Sequence, residues 1–159
     1  MERPLRIAIL TCSDTRSQAD DTAAAALREL IAERGWEIAA YQICPDEESC
    51  IAEMLIDMAD VHGVDVVLTC GGTGFGPRDI TPEVTERVAG RKAPGIAEYI
   101  RARSLEVTRR AMLSRATAGV RGTTLIINLP GSEKAARESF AFIADQLEHA
   151  VEMMAGGGH

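Results

Sequence analysis

The chain has few aromatic residues and few histidines, and it lacks long apolar runs and paired cysteine motifs. Phenylalanine, tryptophan and tyrosine make up 4% of its 159 residues, whereas 46% are hydrophobic. No apolar run reaches the roughly 18 residues of a membrane span, and the N-terminus leads into a predicted strand without a signal peptide. We therefore expect a cytoplasmic globular protein with no membrane partner. Its length fits one domain, placed at residues 1–155 and followed by a disordered tail at 156–159.

The cysteines and histidines form no recognisable metal motif. No C-x-x-C spacing occurs among Cys12, Cys44, Cys50 and Cys70, and the three histidines are scattered along the chain. Cysteine in or beside a buried strand behaves as a small hydrophobic residue. We interpret these cysteines as reduced structural thiols and expect no zinc site.

Charge is unevenly distributed along the chain. The formal net charge is −7, but residues 87–121 hold eight arginines and one lysine against two glutamates, a local net of +7. An acidic protein of this kind is not suited to wrapping nucleic acid, whereas one arginine-dense segment can receive a compact polyanion. The alternative is that these arginines cover a solvated helix face or a subunit interface. Arg115 is the one that we single out as a candidate ligand contact.

Hydrophobic periodicity predicts an α/β fold. Apolar runs at 5–11, 36–44, 65–70 and 124–129 are typical of buried strands, and a shorter strand is expected at 117–121. Helical spacing between glycine and proline boundaries predicts helices at 22–34, 47–62 and 94–108, one that begins at Pro82 with Thr81 as its N-cap, and a last one after Ser132. This order predicts three layers, in which a mostly parallel sheet has helices on both faces.

A glycine-rich loop at residues 71–79 joins a buried strand to a helix and carries Arg78 and Asp79. Backbone N–H groups of such a loop can surround phosphate oxygens, and Arg78 can add a bidentate contact. The loop is neither a P-loop nor a dinucleotide fingerprint, because no Gly-Lys-Ser/Thr follows and its later glycines alternate. Asp79 fits beside phosphate if Mg²⁺ bridges the two, or if the acid orients a reacting group. The simpler interpretation is a tight turn that needs glycine only for its backbone angles.

Polar residues follow each of the long predicted strands. They are Ser13 and Asp14, then Asp46, then the glycine loop, and finally Pro130, Gly131 and Ser132. Ligands of open α/β sheets bind outside the carboxyl ends of the strands, so we expect these residues to share one crevice. Asp14, Asp46 and Asp79 could hold Mg²⁺ there. Simpler roles are also open, with Asp14 as a turn residue and with Asp46 and Ser132 as helix N-caps.

Five motifs occur in a fixed order along the chain. They are Gly-Gly-Thr-Gly at 71–74, Arg-Asp-x-Thr-Pro-Glu at 78–83, Pro-Gly-x-x-Glu at 94–98, Leu-Ser-Arg at 113–115 and Leu-Pro-Gly-Ser at 129–132. This set resembles the MoaB/MogA family of molybdenum cofactor biosynthesis. The resemblance implies a molybdopterin-binding fold and an adenylyltransferase that moves AMP from Mg-ATP to the terminal phosphate of molybdopterin, releasing pyrophosphate.

The resemblance also implies roles for particular residues. The family's catalytic acids fall on Asp46 and Asp79, which would also hold Mg²⁺. Ser13 and Asp14 fall on the nucleotide side. The expected molybdopterin contacts include the loop residue Arg78 and the turn residues Pro130 and Gly131. The others are Gly71, Gly72, Thr73, Gly74, Ser104, Ser114, Arg115 and Ser132.

The short loop after the first strand makes the chain more similar to MoaB than to MogA. Asp21-Thr22-Ala23-Ala24 stands where many members have an acid, then Thr or Ser, and then glycine. The two retained acids favour an enzyme, whereas the altered loop favours a non-catalytic molybdopterin-binding or scaffold protein; an unrelated nucleotide-binding domain is a third alternative. The resemblance further implies a homo-oligomer, a trimer or a hexamer, and a later protein of the same pathway as partner.

Overall fold

A single six-stranded sheet forms the centre of the computed structural model, which describes residues 2–157. Its strands lie in the order β2-β1-β3-β6-β5-β4. The strands β2, β1, β3 and β6 are mutually parallel, and β5 and β4 complete the sheet in antiparallel fashion. Their bounds are β1 (Arg6–Cys12), β2 (Glu37–Cys44), β3 (Val66–Cys70), β4 (Arg91–Lys92), β5 (Ala118–Arg121) and β6 (Thr124–Leu129).

Five α-helices cover the two faces of this sheet. They are α1 (Thr22–Glu33), α2 (Glu48–Ile56), α3 (Thr81–Ala89), α4 (Pro94–Leu105) and α5 (Glu133–Met154). Helices α1, α4 and α5 pack on one face, whereas α2 and α3 pack on the other. Alternate residues of β1 enter the two layers, Ile7 and Ile9 on the first side and Ala8 and Leu10 on the second. The predicted three-layer α/β fold is confirmed, and burial on both faces explains the unbroken apolar runs.

Several element boundaries differ from the predictions. The two-residue strand β4 was not predicted, because a segment so short and exposed has no hydrophobic pattern. The predicted helix at 47–62 changes after Ile56 to a wider π-helical turn, Asp57–Val61. Thr81 is the first helical residue of α3 rather than its N-cap, a position that Ile80 occupies without a side-chain bond. Ser132 caps α5 as predicted, accepting a hydrogen bond from the Ala135 N–H.

The glycines after α5 are hydrogen-bonded to the last turn of that helix. The Gly156 and Gly157 N–H groups donate to the carbonyl oxygens of Met153 and Glu152. The rest of the predicted tail, Gly158 and His159, lies outside the described residues. Within residues 2–157, no helix is long and apolar enough to cross a membrane.

The strand order places a topological switch between β1 and β3. From β1 the chain passes through α1 to β2 on one side, and it then crosses through α2 to β3 on the other side of β1. The loops that leave the carboxyl ends of β1 and β3 therefore diverge, and the crevice between them is where sheets of this kind bind ligands. Asp14 lies on the first of these loops and the glycine loop is the second.

A buried carboxylate holds the beginning of α1 against the sheet. Asp21, only 3% exposed, accepts hydrogen bonds from the Thr11 hydroxyl at 2.6 Å, the Tyr41 hydroxyl at 2.5 Å and the Ala24 N–H at 3.2 Å. Burial and the neighbouring carboxylate raise the pKa of Tyr41, so its hydroxyl stays protonated and donates. The Asp21 side chain thereby joins β1, β2 and α1.

We expect Asp21→Ala to lower the free energy of unfolding by about 3 kcal/mol, because it leaves two buried donors and one partly buried donor without an acceptor. Tyr41→Phe, which removes one donor and leaves the carboxylate bonded twice, should cost about 1 kcal/mol. Urea denaturation followed by circular dichroism measures both. Equal losses for the two variants would contradict the central role of the carboxylate.

Candidate active site

The first two residues of the glycine loop are confined by their neighbours. Gly71 and Gly72 have φ angles of 96° and 71°, in the left-handed region. A Cβ on Gly71 would stand 2.6 Å from the Cys12 carbonyl oxygen, and one on Gly72 would stand 2.1 Å from Thr81 Oγ1. The Gly71 N–H also donates to the Leu129 carbonyl at 3.1 Å. Positions 71 and 72 therefore require glycine, because the turn packs too closely against its neighbours to admit a side chain.

Four charged side chains meet where this loop faces the loop after β1. The Arg78 guanidinium binds Asp14 in bidentate fashion, through Nε at 2.7 Å and Nη2 at 2.9 Å. Asp14 also accepts the Asp46 N–H at 3.0 Å, so that one carboxylate ties together the segments after β1, β2 and β3. Arg78 and this backbone hydrogen bond lower the pKa of Asp14. Asp79 completes the group, and its carboxylate accepts the Gly76 N–H at 2.9 Å.

Asp46 carries an unpaired carboxylate oxygen in this group. Its Oδ1 is buried and has no hydrogen-bond partner among residues 2–157. Burial, followed by the charges of Asp14 and Asp79, raises the pKa of Asp46. Helix α2 does not use the side chain as a cap, because its N-cap is Glu47. The carboxylate also accepts a backbone hydrogen bond from Asp14, but its Oδ1 is held close to other acids without a partner, which is typical of a functional group.

A cavity of about 340 Å³ opens on the other side of the glycine loop. Five of the predicted site residues line it, namely Thr73, Gly74, Ser104, Ser114 and Pro130. Arg101, Arg110 and Asn128 add polar groups to its wall, and the apolar part comes from Ala97, Ile100, Val107, Leu113 and Ala116. A concave, largely apolar space with a few convergent polar groups is the usual form of a small-molecule site.

Gly74 connects the cavity with the acids. It lines the cavity, and a Cβ placed on it would stand 3.0 Å from Asp79 Oδ2. Asp79 in turn is close enough to Asp46 to raise the pKa of that carboxyl. Gly74 therefore lies against both the cavity and Asp79, and it has no side chain of its own.

Arg115 braces the glycine loop from outside the cavity. Its Nε donates to the Gly74 carbonyl at 2.8 Å, its Nη2 donates to the Asp79 carbonyl, and its Nη1 pairs with Glu83 at 2.5 Å. Its own N–H donates to the Thr73 carbonyl at 2.8 Å. With its donors directed at the loop and at α3, Arg115 is placed to shape the site rather than to line the cavity.

The other predicted residues have supporting positions. A Cβ on Gly131 would stand 3.3 Å from the Gly71 Cα, so the turn after β6 packs against the glycine loop. Ser132 is occupied as the cap of α5. The Ser13 hydroxyl accepts the N–H groups of Thr15 and Arg16 at 3.2 and 3.1 Å, which stabilises the turn after β1.

Sequence reasoning missed Asn128 and Arg101 in the cavity wall. Asn128 is 1% exposed, donates to the hydroxyls of Thr69 and Thr85 at 3.0 and 2.9 Å, and accepts the Thr117 N–H at 3.1 Å. An asparagine inside an apolar strand was a usable signal. Arg101 donates to the Ser114 carbonyl at 2.9 Å, and nothing in the sequence separated it from the other arginines of its segment.

Comparisons with known proteins identify the family of the chain. Residues 8–149 match the family described as "Probable molybdopterin binding domain". A molybdopterin adenylyltransferase of Helicobacter pylori (strain ATCC 700392 / 26695) is 38% identical over 156 residues, covering 96% of this chain and 89% of that protein. The Drosophila melanogaster molybdenum cofactor synthesis protein cinnamon is 42% identical over 149 residues, which are 92% of this chain and 25% of that protein. The chain thus spans only a quarter of the fly protein.

Among solved structures, the molybdopterin biosynthesis enzyme MoaB of Thermus thermophilus superposes with a TM-score of 0.88 at 45% identity, covering 98% of this chain and 99% of that one. The class that the fold and the matched domain define is that of molybdopterin-binding domains in molybdenum cofactor biosynthesis. Within it, the chain belongs to the MoaB/MogA family, as its motifs indicated.

The packing of Gly72 leads to a testable expectation about stability. Gly72→Ala should lower the free energy of unfolding by about 3 kcal/mol, because a left-handed residue acquires a Cβ and that Cβ overlaps the Thr81 hydroxyl. Gly35→Ala is the matched control, since Gly35 has a φ of 75° but no atom within 4 Å of the added Cβ. It should cost about 1 kcal/mol. If urea titration gave the same loss for both, the close packing at Gly72 would be refuted.

Proposed function

We propose that the protein catalyses the transfer of AMP from ATP to the terminal phosphate of molybdopterin, with release of pyrophosphate. The observation that carries this proposal is the continuity of the site at Gly74, which joins a cavity for a small molecule to a pair of carboxylates. The relative in Helicobacter pylori, a molybdopterin adenylyltransferase, supports the same reaction.

The cavity is proposed to hold molybdopterin. Its volume of about 340 Å³ and its apolar wall suit a compact ring system. The hydroxyls of Thr73, Ser104 and Ser114 are placed to bind polar atoms of the ligand. Arg101 and Arg110 bring positive charge to the same wall, which favours the phosphate of the ligand. The acid of this wall, Glu138, is paired with Lys134.

Asp46 and Asp79 are proposed to hold Mg²⁺ together with the ATP phosphates. Residues 2–157 contain no group of three or more His, Cys, Asp and Glu side chains able to bind a metal by themselves. Mg²⁺ does not need one, since it commonly takes one or two carboxylates and fills its shell with water and substrate phosphate. The unpaired Asp46 Oδ1 fits this donor set, whereas Asp14 is occupied by Arg78. When bound, the ion would neutralise phosphate charge.

The proposed reaction depends on positioning. An oxygen of the terminal pterin phosphate forms a bond to the α-phosphorus of ATP, and the bond from that phosphorus to the bridging oxygen breaks, so pyrophosphate leaves. The cavity residues hold the attacking phosphate at the Gly74 side, and the Asp14–Arg78 pair fixes the loop that carries Asp79. Holding two reactants in this way can supply a large part of the barrier reduction.

One observation favours the second candidate, a non-catalytic molybdopterin-binding or scaffold protein that passes its ligand to a later protein of the pathway. Arg78 is already neutralised by Asp14, which leaves the nucleotide side with an excess of acidic groups. The deciding assay supplies molybdopterin, ATP and Mg²⁺ and measures adenylylated pterin and pyrophosphate. Formation of both supports the enzyme. Pterin binding without either product supports the binder.

Asp79→Asn should lower adenylyl transfer by about 10² or more, the scale on which removal of a preorganised electrostatic group acts. Fold and pterin binding should be retained, because Asp79 is only partly buried and the amide oxygen of Asn can still accept the Gly76 N–H. Asp57→Asn is the matched control; this partly exposed acid pairs with His62 beyond the other end of α2. Initial rates of pyrophosphate release measure the effect, and an Asp79→Asn rate close to that of the control would remove Asp79 from the proposed machinery.

We also propose that the protein is a homo-oligomer, a trimer or a hexamer. The basic segment does not require a partner subunit, because the chain itself pairs Arg87 with Glu48, Arg103 with Glu106, Arg115 with Glu83 and Arg121 with Asp60. A better candidate for the interface is an apolar groove of about 480 Å³ between α4 and α5, which includes Ile96, Tyr99, Phe142 and Met153.

Light scattering should therefore give three or six times the chain mass of 17.1 kDa, and the assembly should persist at high salt because apolar contacts are not screened. Met153→Glu, at a residue 47% exposed, should dissociate it without unfolding the chain. A mass of 17.1 kDa for the parent at every concentration would contradict the proposal.

A further inference from the structure

The side chain of Thr81 is buried directly beneath the glycine loop. The residue is 0% exposed, and within residues 2–157 its hydroxyl has no hydrogen-bond partner other than the weakly bonding Cys12 thiol. It does not cap α3, of which it is the first residue. The Thr81 N–H donates to the Gly72 carbonyl at 3.2 Å, which fixes the backbone of the threonine against the loop. A buried hydroxyl without a partner costs stability, so its presence calls for another explanation.

The second unpaired atom, Asp46 Oδ1, faces the same point. The position that a Cβ on Gly72 would take is 2.1 Å from Thr81 Oγ1 and 3.3 Å from Asp46 Oδ1. The Cys12 thiol also lies beside the Thr81 hydroxyl. A hydroxyl can donate and a carboxylate can only accept, so the two unpaired atoms are chemically complementary. A side chain at position 72 would occupy the point that both atoms face.

We propose that Thr81 is a positioning residue for Asp46. Its hydroxyl donates to one enclosed water, and the water donates to Asp46 Oδ1, with the Cys12 thiol as a weak third neighbour. A buried water is stable with two to four polar partners, and bridging of this kind is nearly as favourable as a direct bond. A carboxylate oxygen has two acceptor sites, so the link orients Asp46 and leaves the second site of Oδ1 to the ligand. This inference rests on the proposed role of Asp46 in holding the metal and nucleotide.

The test compares Thr81→Val, which keeps the volume and removes the hydroxyl, with Thr81→Ser, which keeps the hydroxyl. Mn²⁺ serves as the probe, titrated by electron paramagnetic resonance in the presence of a non-hydrolysable ATP analogue and without molybdopterin. Thr81→Val should weaken Mn²⁺ binding about tenfold, at the low end of the effect of losing a group that orients a metal ligand. Thr81→Ser should restore nearly the affinity of the parent.

A purely structural hydroxyl would give a different pattern. Removing an unsatisfied buried hydroxyl would then raise the melting temperature of Thr81→Val and leave Mn²⁺ affinity unchanged, and this result would overturn the inference. A crystal structure of the parent that resolves waters provides the second readout. It should show one water within hydrogen-bonding distance of Thr81 Oγ1 and Asp46 Oδ1; electron density without that water would also overturn it, whatever the titration shows.

These readouts separate the inference from the proposed function, because neither uses turnover. A protein that makes no adenylylated pterin but binds Mn²⁺ and the ATP analogue through a Thr81-dependent site would reject the proposed reaction and keep the role of Thr81. If the parent transfers AMP and Thr81→Val binds Mn²⁺ as tightly as the parent, the proposed reaction stands and the role of Thr81 is rejected.

Discussion

The contact of the Gly71–Gly72 turn with the ends of three neighbouring elements is the constraint on which the site depends. The turn touches the last residue of β1, donates to the end of β6 and receives the first N–H of α3. Such distances are possible only without side chains, because Cβ atoms would overlap backbone and hydroxyl oxygens. The packed position of this turn determines the direction of the rest of the loop. It thereby determines where the cavity lies on one side of the loop and where the acids lie on the other.

Electrostatics gives the two halves of the site different characters. The cavity has an apolar wall with cationic groups from Arg101 and Arg110. The opposite half gathers Asp14, Asp46 and Asp79, and the Asp14–Arg78 pair neutralises part of that charge. One of these closely placed carboxylates, Asp46, has a raised pKa. Such groups are usually retained where chemistry or cation binding compensates for their repulsion.

Much of the fold could be predicted because burial leaves a direct trace in sequence. Strands covered on both faces read as unbroken apolar runs, and helices with one buried stripe read as a period of 3.6 residues. Where burial is slight the trace is lost, which is why the exposed strand Arg91–Lys92 was missed. The prediction that Thr81 is an N-cap was wrong for another reason. Threonine before proline is a good local cap signal, but the tertiary packing of Gly72 draws that hydroxyl beneath the loop.

The sequence by itself determined the class of fold, the order of its elements and the chemical groups at the carboxyl ends of the strands, since these follow from local pattern and from the chemistry of each residue. Only the tertiary structure decided which of those groups meet. It paired Arg78 with Asp14, directed Arg115 at the loop backbone and brought Asn128 and Arg101 to the cavity wall. Such pairings join residues that are distant along the chain, and their geometry depends on how separate helices and loops pack on one sheet.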